Sequence, residues 1–166
     1  MELRDKILAF MRTEAYKPLS AEDLAESMGL KGKELGELWS LLDEMEANAE
    51  IIKTRFGKYG VPERMNLVVG KFVATTRGYG FVIPENPTEE GHVFIAAGDM
   101  LNAMHNDRVM VRLLKKSLDE KRAREGEVYK VLVHANETVV GTFEQSRYFG
   151  FVVPDDGRIY EDIFIP

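Results

Sequence analysis

Cysteine is absent from the 166 residues. That excludes disulfides, thiolate metal sites and cysteine nucleophiles, and it accords with a cytoplasmic protein. Long apolar runs are missing too: the longest, residues 7–11 and 93–97, are five residues each. A membrane-spanning helix needs ~20, so no membrane partner and no secretory leader are expected. Metal-ligand spacing is lacking around His92, His105 and His134. An excess of basic residues is lacking as well. The formal net charge is −6, the reverse of the usual nucleic-acid footprint.

What is present is ordinary globular composition, 45% hydrophobic and 30% charged, and the charge is uneven. Residues 1–60 carry 9 basic and 12 acidic side chains, residues 61–135 carry 11 and 10, and residues 136–166 carry 2 and 6. The middle is the least acidic part. It also belongs to an internal repeat. Val68-Val69-Gly70-Lys71-Phe72 recurs as Val139-Val140-Gly141-Thr142-Phe143. Arg77-Gly78-Tyr79-Gly80-Phe81-Val82-Ile83-Pro84 recurs as Arg147-Tyr148-Phe149-Gly150-Phe151-Val152-Val153-Pro154. Val93-Phe94-Ile95 recurs as Ile163-Phe164-Ile165. The offset is 71 residues for the first block and 70 for the others, so the second copy lacks one residue in its first turn. A unit of this length is the size of a small β-barrel. The second copy reaches its third strand and no further, which makes the chain a fragment of a longer protein, or else leaves a degenerate copy packed on the first.

The spacing of Leu3, Ile7, Phe10 and Met11 predicts a first amphipathic helix. Ser20 and Asp23 fit a capped start for a short helix over residues 21–28, with Gly29 as its stop. Leu35, Leu38, Leu42 and Met45 line a third helix, with Trp39 beside them as core. Residues 51–60 then alternate as a two-stranded ribbon. Three helices and a ribbon predict a winged helix-turn-helix. Its third helix carries Glu34, Glu37, Asp43, Glu44 and Glu46, which repel phosphates, so base reading in a DNA groove is disfavoured. The wing is different. Lys53, Arg55 and Lys58, with Tyr59, either track a nucleic-acid backbone or are solvated hairpin charges.

Five strands are expected over residues 66–75, 77–83, 92–96, 107–113 and 125–133, in the order of an OB-type barrel whose second and third strands form the binding face. Alternation puts Tyr79, Phe81 and Ile83 on one face and Val82 on the other. Pairing strands two and three brings Phe94 to Tyr79 and Phe81. Exposed rings of this kind suit stacked bases, and Lys71, Arg77, Arg108 and Arg112 suit phosphates. The alternative is that the rings bury against the winged helix or a neighbouring domain. The charged stretch over residues 115–124 reads as a solvated loop, the alternative being a contact with a nucleic-acid backbone.

These residues carry a resemblance. Arg77-Gly78-Tyr79-Gly80-Phe81-Val82 resembles the first RNA-binding motif of cold-shock domains, Val93-Phe94-Ile95 the start of the second, and Lys71-Phe72 the Lys-Trp pair of their first strand. Ala96 and Ala97 stand where that second motif has His and Phe. The order of parts resembles the N-terminal region of the ribonuclease II family: winged helix at 1–60, cold-shock (OB) domain at 66–135, incomplete second cold-shock domain at 137–166. The fold class is therefore α+β and multidomain. The resemblance implies a parent enzyme that degrades RNA hydrolytically from the 3′ end. It places a Mg²⁺-binding aspartate cluster in a catalytic domain beyond this chain. Single-stranded RNA and that catalytic domain are the implied partners. Phe72, Phe149, Phe151 and Phe164 join the expected RNA-binding residues. No catalytic residue, metal ligand or cofactor is expected within the chain itself. The second functional reading is a protein-interaction or autoregulatory module that docks through an acidic winged helix.

Overall fold

The computed structural model describes residues 1–86, 91–114 and 124–166. They form two compact units, Met1–Leu67 and Val68–Pro166. The expected charged loop at 115–124 lies, except for Arg124, outside the described residues, as does most of the loop after Pro84.

In the first unit α1 (Leu3–Met11), α2 (Ala21–Met28) and α3 (Gly32–Ala47) precede a ribbon of β1 (Ile52–Lys53) and β2 (Tyr59–Gly60). The Ser20 hydroxyl accepts the Asp23 N–H at 3.1 Å and caps α2, satisfying a donor that the helix itself leaves free. α2 stops at Gly29, where the Leu30 N–H closes on the Ala25 carbonyl at 3.0 Å. Ile7, Met11, Leu24, Leu38, Leu42, Met45 and Ile51 build the core. The ribbon is tied to the chain before α2: the Tyr59 N–H donates to the Leu19 carbonyl, and the Tyr16 hydroxyl donates to the Tyr59 carbonyl, both at 2.8 Å.

Two expectations for α3 are corrected. Leu35 and Trp39 are not core; Trp39 is 44% exposed and Leu35 36%. Successive helical residues turn by about 100°. With Leu38 inward, Trp39 faces out, and Leu35, four residues earlier, shares its stripe.

In the second unit β3 (Leu67–Ala74), β4 (Gly80–Pro84), β5 (Val93–Ile95), β6 (Arg108–Leu113) and β7 (Arg124–Val133) close into a barrel in the order β3-β4-β5-β7-β6. β5 and β7 run parallel, whereas β3–β4, β4–β5 and β6–β7 are antiparallel. The Phe72 N–H bonds the Asp107 carbonyl, and the Asn106 N–H bonds the Phe72 carbonyl, each at 2.8 Å, joining β3 to the start of β6. This is an OB-type arrangement. Phe72, Val82, Val93, Ile95, Val109 and Val111 fill the interior. Asp107 is fully buried. Its carboxylate accepts the Met104 N–H at 2.9 Å and the Ala135 N–H at 2.8 Å, and it lies 2.9 Å from His134 Nδ1. That carboxylate clamps the chain as it leaves β7.

β8 (Gly141–Gln145), β9 (Gly150–Pro154) and β10 (Ile163–Ile165) form a separate antiparallel sheet with β9 in the middle. Its register repeats that of the barrel. Phe72↔Val82↔Val93 corresponds to Phe143↔Val152↔Ile163, and Ala74↔Gly80↔Ile95 to Gln145↔Gly150↔Ile165. The repeated glycines have a packing reason. A Cβ on Gly80 would lie 2.5 Å from Phe72 Cζ, and one on Gly150 the same distance from Phe143 Cζ. Each glycine makes the hollow into which the preceding strand's phenylalanine fits.

The missing residue also has a structural account. In the barrel the Thr75 N–H reaches the Tyr79 carbonyl across three residues, with Gly78 at φ +93°. This turn delays β4 to Gly80, three residues later than expected. In the second sheet Ser146 reaches Phe149 across two residues, and neither Arg147 nor Tyr148 has a positive φ. The shorter turn needs no glycine, so Tyr148 is accommodated where the first copy has Gly78.

Candidate nucleic-acid interface

Cross-strand partners share a face of a sheet. Val73, Phe81 and Phe94 are partners across β3, β4 and β5, with Glu125 of β7 next in the row. Lys71 pairs with Ile83 on the same outer face. Phe81 and Phe94 have their ring centroids 5.8 Å apart, and Tyr79 lies 5.7 Å from Phe81 and 5.5 Å from Phe94. The three rings are half-buried. They form a cluster of two edge-to-face contacts and one tilted contact on the outside of the barrel, with Lys71 and Arg77 exposed on the same barrel.

The second sheet carries the same figure. Phe149 lies 5.2 Å from Phe151 and 5.6 Å from Phe164, and Phe151 lies 6.1 Å from Phe164. The interplanar angles follow the same order, 81°, 48° and 65° against 89°, 42° and 69°. The surroundings differ in charge. Where the barrel has Val73 beside Phe81, the second sheet has Glu144 beside Phe151, a poorer neighbour for phosphate.

Phe72 and Tyr59, expected at the surface, are buried, and Arg108 and Arg112 are engaged by carboxylates. Phe72 is 1% exposed. Lys71 points out of the barrel, so its strand neighbour must point in, and Phe72 has no face left for a base. Tyr59 is buried, with Lys53 Nζ held 5.3 Å from its ring centroid. Arg108 is at the surface, but Glu85 already holds its guanidinium with two hydrogen bonds, at 2.6 and 3.0 Å. A phosphate there would compete with that carboxylate. Arg112 is likewise engaged, 3.4 Å from Glu127 and 4.8 Å from the Tyr129 ring centroid.

Tyr160 and Phe56 are among the exposed aromatics outside the expected site. Tyr160 lies in the loop before β10, its hydroxyl 3.5 Å from the Tyr79 carbonyl. At the offset of the repeat its counterpart is Glu90, so no motif marks it. Phe56 sits between Arg55 and Gly57 in the turn of the ribbon and is exposed. Near Tyr160, Arg158 grips Asp156 at 2.7 Å. That hydrogen bonding holds the Asp156 carboxyl down to about 2. Close by, burial and the Arg158 charge lower the pKa of His105, with Asp156 opposing them. His105 Nδ1 accepts the Ala74 N–H at 3.2 Å, which requires that nitrogen unprotonated. Among the described residues no three His, Asp or Glu side chains converge as metal ligands.

Fold and face together define an OB-type barrel with an aromatic outer sheet. Residues 70–131 match the family described as the ribonuclease B OB domain. Over 98% of its length the chain is 34% identical to ribonuclease R of Vibrio cholerae, covering 20% of that protein. It is 34% identical to ribonuclease R of Escherichia coli over 93% of the chain and 19% of the relative. Against ribonuclease R of Thermotoga maritima the figures are 30%, 94% and 21%. The chain thus spans about a fifth of the length of these relatives. Its fold is similar to that of yeast Ssd1, a pseudonuclease, with a TM-score of 0.52 at 19% identity over 63% of this chain and 18% of that one.

Proposed function

We propose that this chain is the RNA-binding N-terminal region of a hydrolytic 3′–5′ exoribonuclease. It holds single-stranded RNA by stacking bases on Tyr79, Phe81 and Phe94. The observation that carries this reading is the aromatic triad on the outer face of an OB-type barrel, repeated with near-equal ring geometry at Phe149, Phe151 and Phe164. Similarity to ribonuclease R along nearly the whole chain supports the class of parent enzyme. Lys71 and Arg77 neutralise phosphates beside the first triad. In this reading the helices and ribbon are a winged helix-turn-helix, and β8–β10 are the first three strands of a second cold-shock barrel. Catalysis, with its Mg²⁺, belongs to a domain outside this chain, and the protein works in the cytoplasm. The three helices and the barrels guide substrate and do not cleave it.

Stacking is worth ~1–3 kcal/mol per base and depends little on sequence. Phe81→Ala should therefore weaken binding of labelled single-stranded RNA, read by fluorescence anisotropy, by about 5- to 150-fold. Circular dichroism should stay native. Unchanged affinity in a folded variant would remove the triad from the RNA path.

A second reading has its own observation. Leu35 and Trp39 are exposed on α3, a helix that also bears Glu34, Glu37, Asp43, Glu44 and Glu46. An apolar stripe on an acidic helix fits a basic protein surface and would make the first unit an interaction or autoregulatory module. Trp39→Ala would then abolish docking and leave RNA affinity unchanged.

A further inference from the structure

The turn of the β1–β2 ribbon is built rather than loose. The Gly57 N–H donates to the Thr54 carbonyl at 2.9 Å, and the Thr54 N–H donates to the Lys58 carbonyl at 2.7 Å. The Thr54 hydroxyl accepts the Lys58 N–H at 3.2 Å. Gly57, at φ +72°, takes the left-handed position that closes this turn. The framework holds out one large apolar side chain, Phe56, which is 73% exposed. The Arg55 guanidinium carbon lies 4.8 Å from its ring centroid. Lys53 and Lys58 are exposed on the two sides of the turn. Among the described residues no carboxylate lies within ion-pair distance of Arg55 or Lys58.

A solvated tip has no use for this side chain, since Asn, Asp, Gly or Ser closes such a turn without exposing a ring. A tip that combines a flat apolar ring with unpaired cations is complementary to a partner that is flat and anionic. An unpaired nucleotide is both: its base stacks on the ring, and its phosphate meets the cations. We propose that the ribbon tip is a second nucleic-acid contact, in which Phe56 stacks on an unpaired base while Arg55 and Lys58 hold the flanking phosphates. The proposal adds an aromatic anchor to the basic ribbon. It rests on the chain binding RNA, but not on the barrel triad being the site.

The test uses the full chain and fluorescein-labelled oligoadenylate in a salt series. Phe56 is 73% exposed and is no part of the core, so Phe56→Ala should keep the fold. It should weaken binding about 5- to 150-fold, the range of one lost stacking contact. Phe56→Trp should restore affinity, whereas Phe56→Leu, apolar but not flat, should not. Arg55→Ala should lower the slope of log affinity against log salt by about one phosphate contact. Phe81→Ala, run in parallel, separates the two sites. Weakening by Phe81→Ala alone leaves the barrel reading standing and overturns the ribbon proposal. Weakening by Phe56→Ala alone does the reverse. Equal affinity of Phe56→Leu and wild type, or no RNA binding by the wild type, also overturns it. In those cases Phe56 serves a protein contact or none.

Discussion

The glycine–phenylalanine pairs allow a sharp test of how the repeat is built, because one clash occurs twice in different surroundings. A methyl group added at Gly80 would sit 2.5 Å from Phe72 Cζ and 2.6 Å from Cε2, well inside van der Waals contact. Phe72 is 1% exposed and packed among Val82, Val93 and Val111, so its ring has nowhere to go. Overpacking a filled core costs ~1–3 kcal/mol. Neither Gly80 nor Gly150 has a positive φ, so alanine also removes unfolded-state freedom, a gain of ~0.4–1 kcal/mol. The net expectation for Gly80→Ala is a loss of about 1–2 kcal/mol. At Gly150 the same methyl would meet Phe143 Cζ at 2.5 Å, but that ring is 56% exposed and can swing aside. Gly150→Ala should therefore be neutral or slightly stabilising. Trp39, the one tryptophan, lies in the first unit. The assay is thus urea denaturation followed by NMR through amides of β3–β7 and of β8–β10. Adding Phe72→Leu to Gly80→Ala should recover part of the loss, a coupling expected only between groups in contact. Equal costs at the two glycines, or no coupling to Phe72, would refute the claim that the glycine exists to seat the ring.

Two other predictions concern the barrel's polar parts. Asp107→Ala deprives the Met104 and Ala135 N–H groups of their acceptor and should cost about 1–3 kcal/mol. Hydrogen exchange at those two amides should rise ahead of the rest of the barrel, and unchanged exchange would count against the clamp. His105 is held neutral in the fold, below its ordinary value of 6.5, so the unfolded chain takes up a proton that the folded chain refuses. Its contribution is present above pH ~6.5 and is lost as the pH falls from there through the lowered folded value. His105→Gln should flatten the stability–pH profile in that window, and a profile of unchanged slope would contradict the assignment.

Much of the site could be read along the chain. Tyr79, Phe81 and Phe94 are set by period-two alternation and by pairing of neighbouring strands, both local rules, and the repeat carries the same rules to Phe149, Phe151 and Phe164. The capped start of α2 at Ser20 is equally local. Phe72 was harder. Alternation says that Lys71 and Phe72 face opposite ways, but not which one faces in. That was decided when the barrel closed around the hollow at Gly80. Trp39 and Leu35 show the same limit on a helix, because an apolar stripe wider than the available core leaves one edge in solvent.

The sequence by itself determined the order of elements, the internal repeat and the membership of each aromatic triad. These depend on residues close along the chain or on strands that pair with their neighbours. Only the tertiary structure decided that Phe72 is core, that Arg108 is held by Glu85, and that the Tyr160 hydroxyl reaches the Tyr79 carbonyl. Those outcomes depend on closure and on long-range contacts between groups far apart in sequence, for which no periodicity exists.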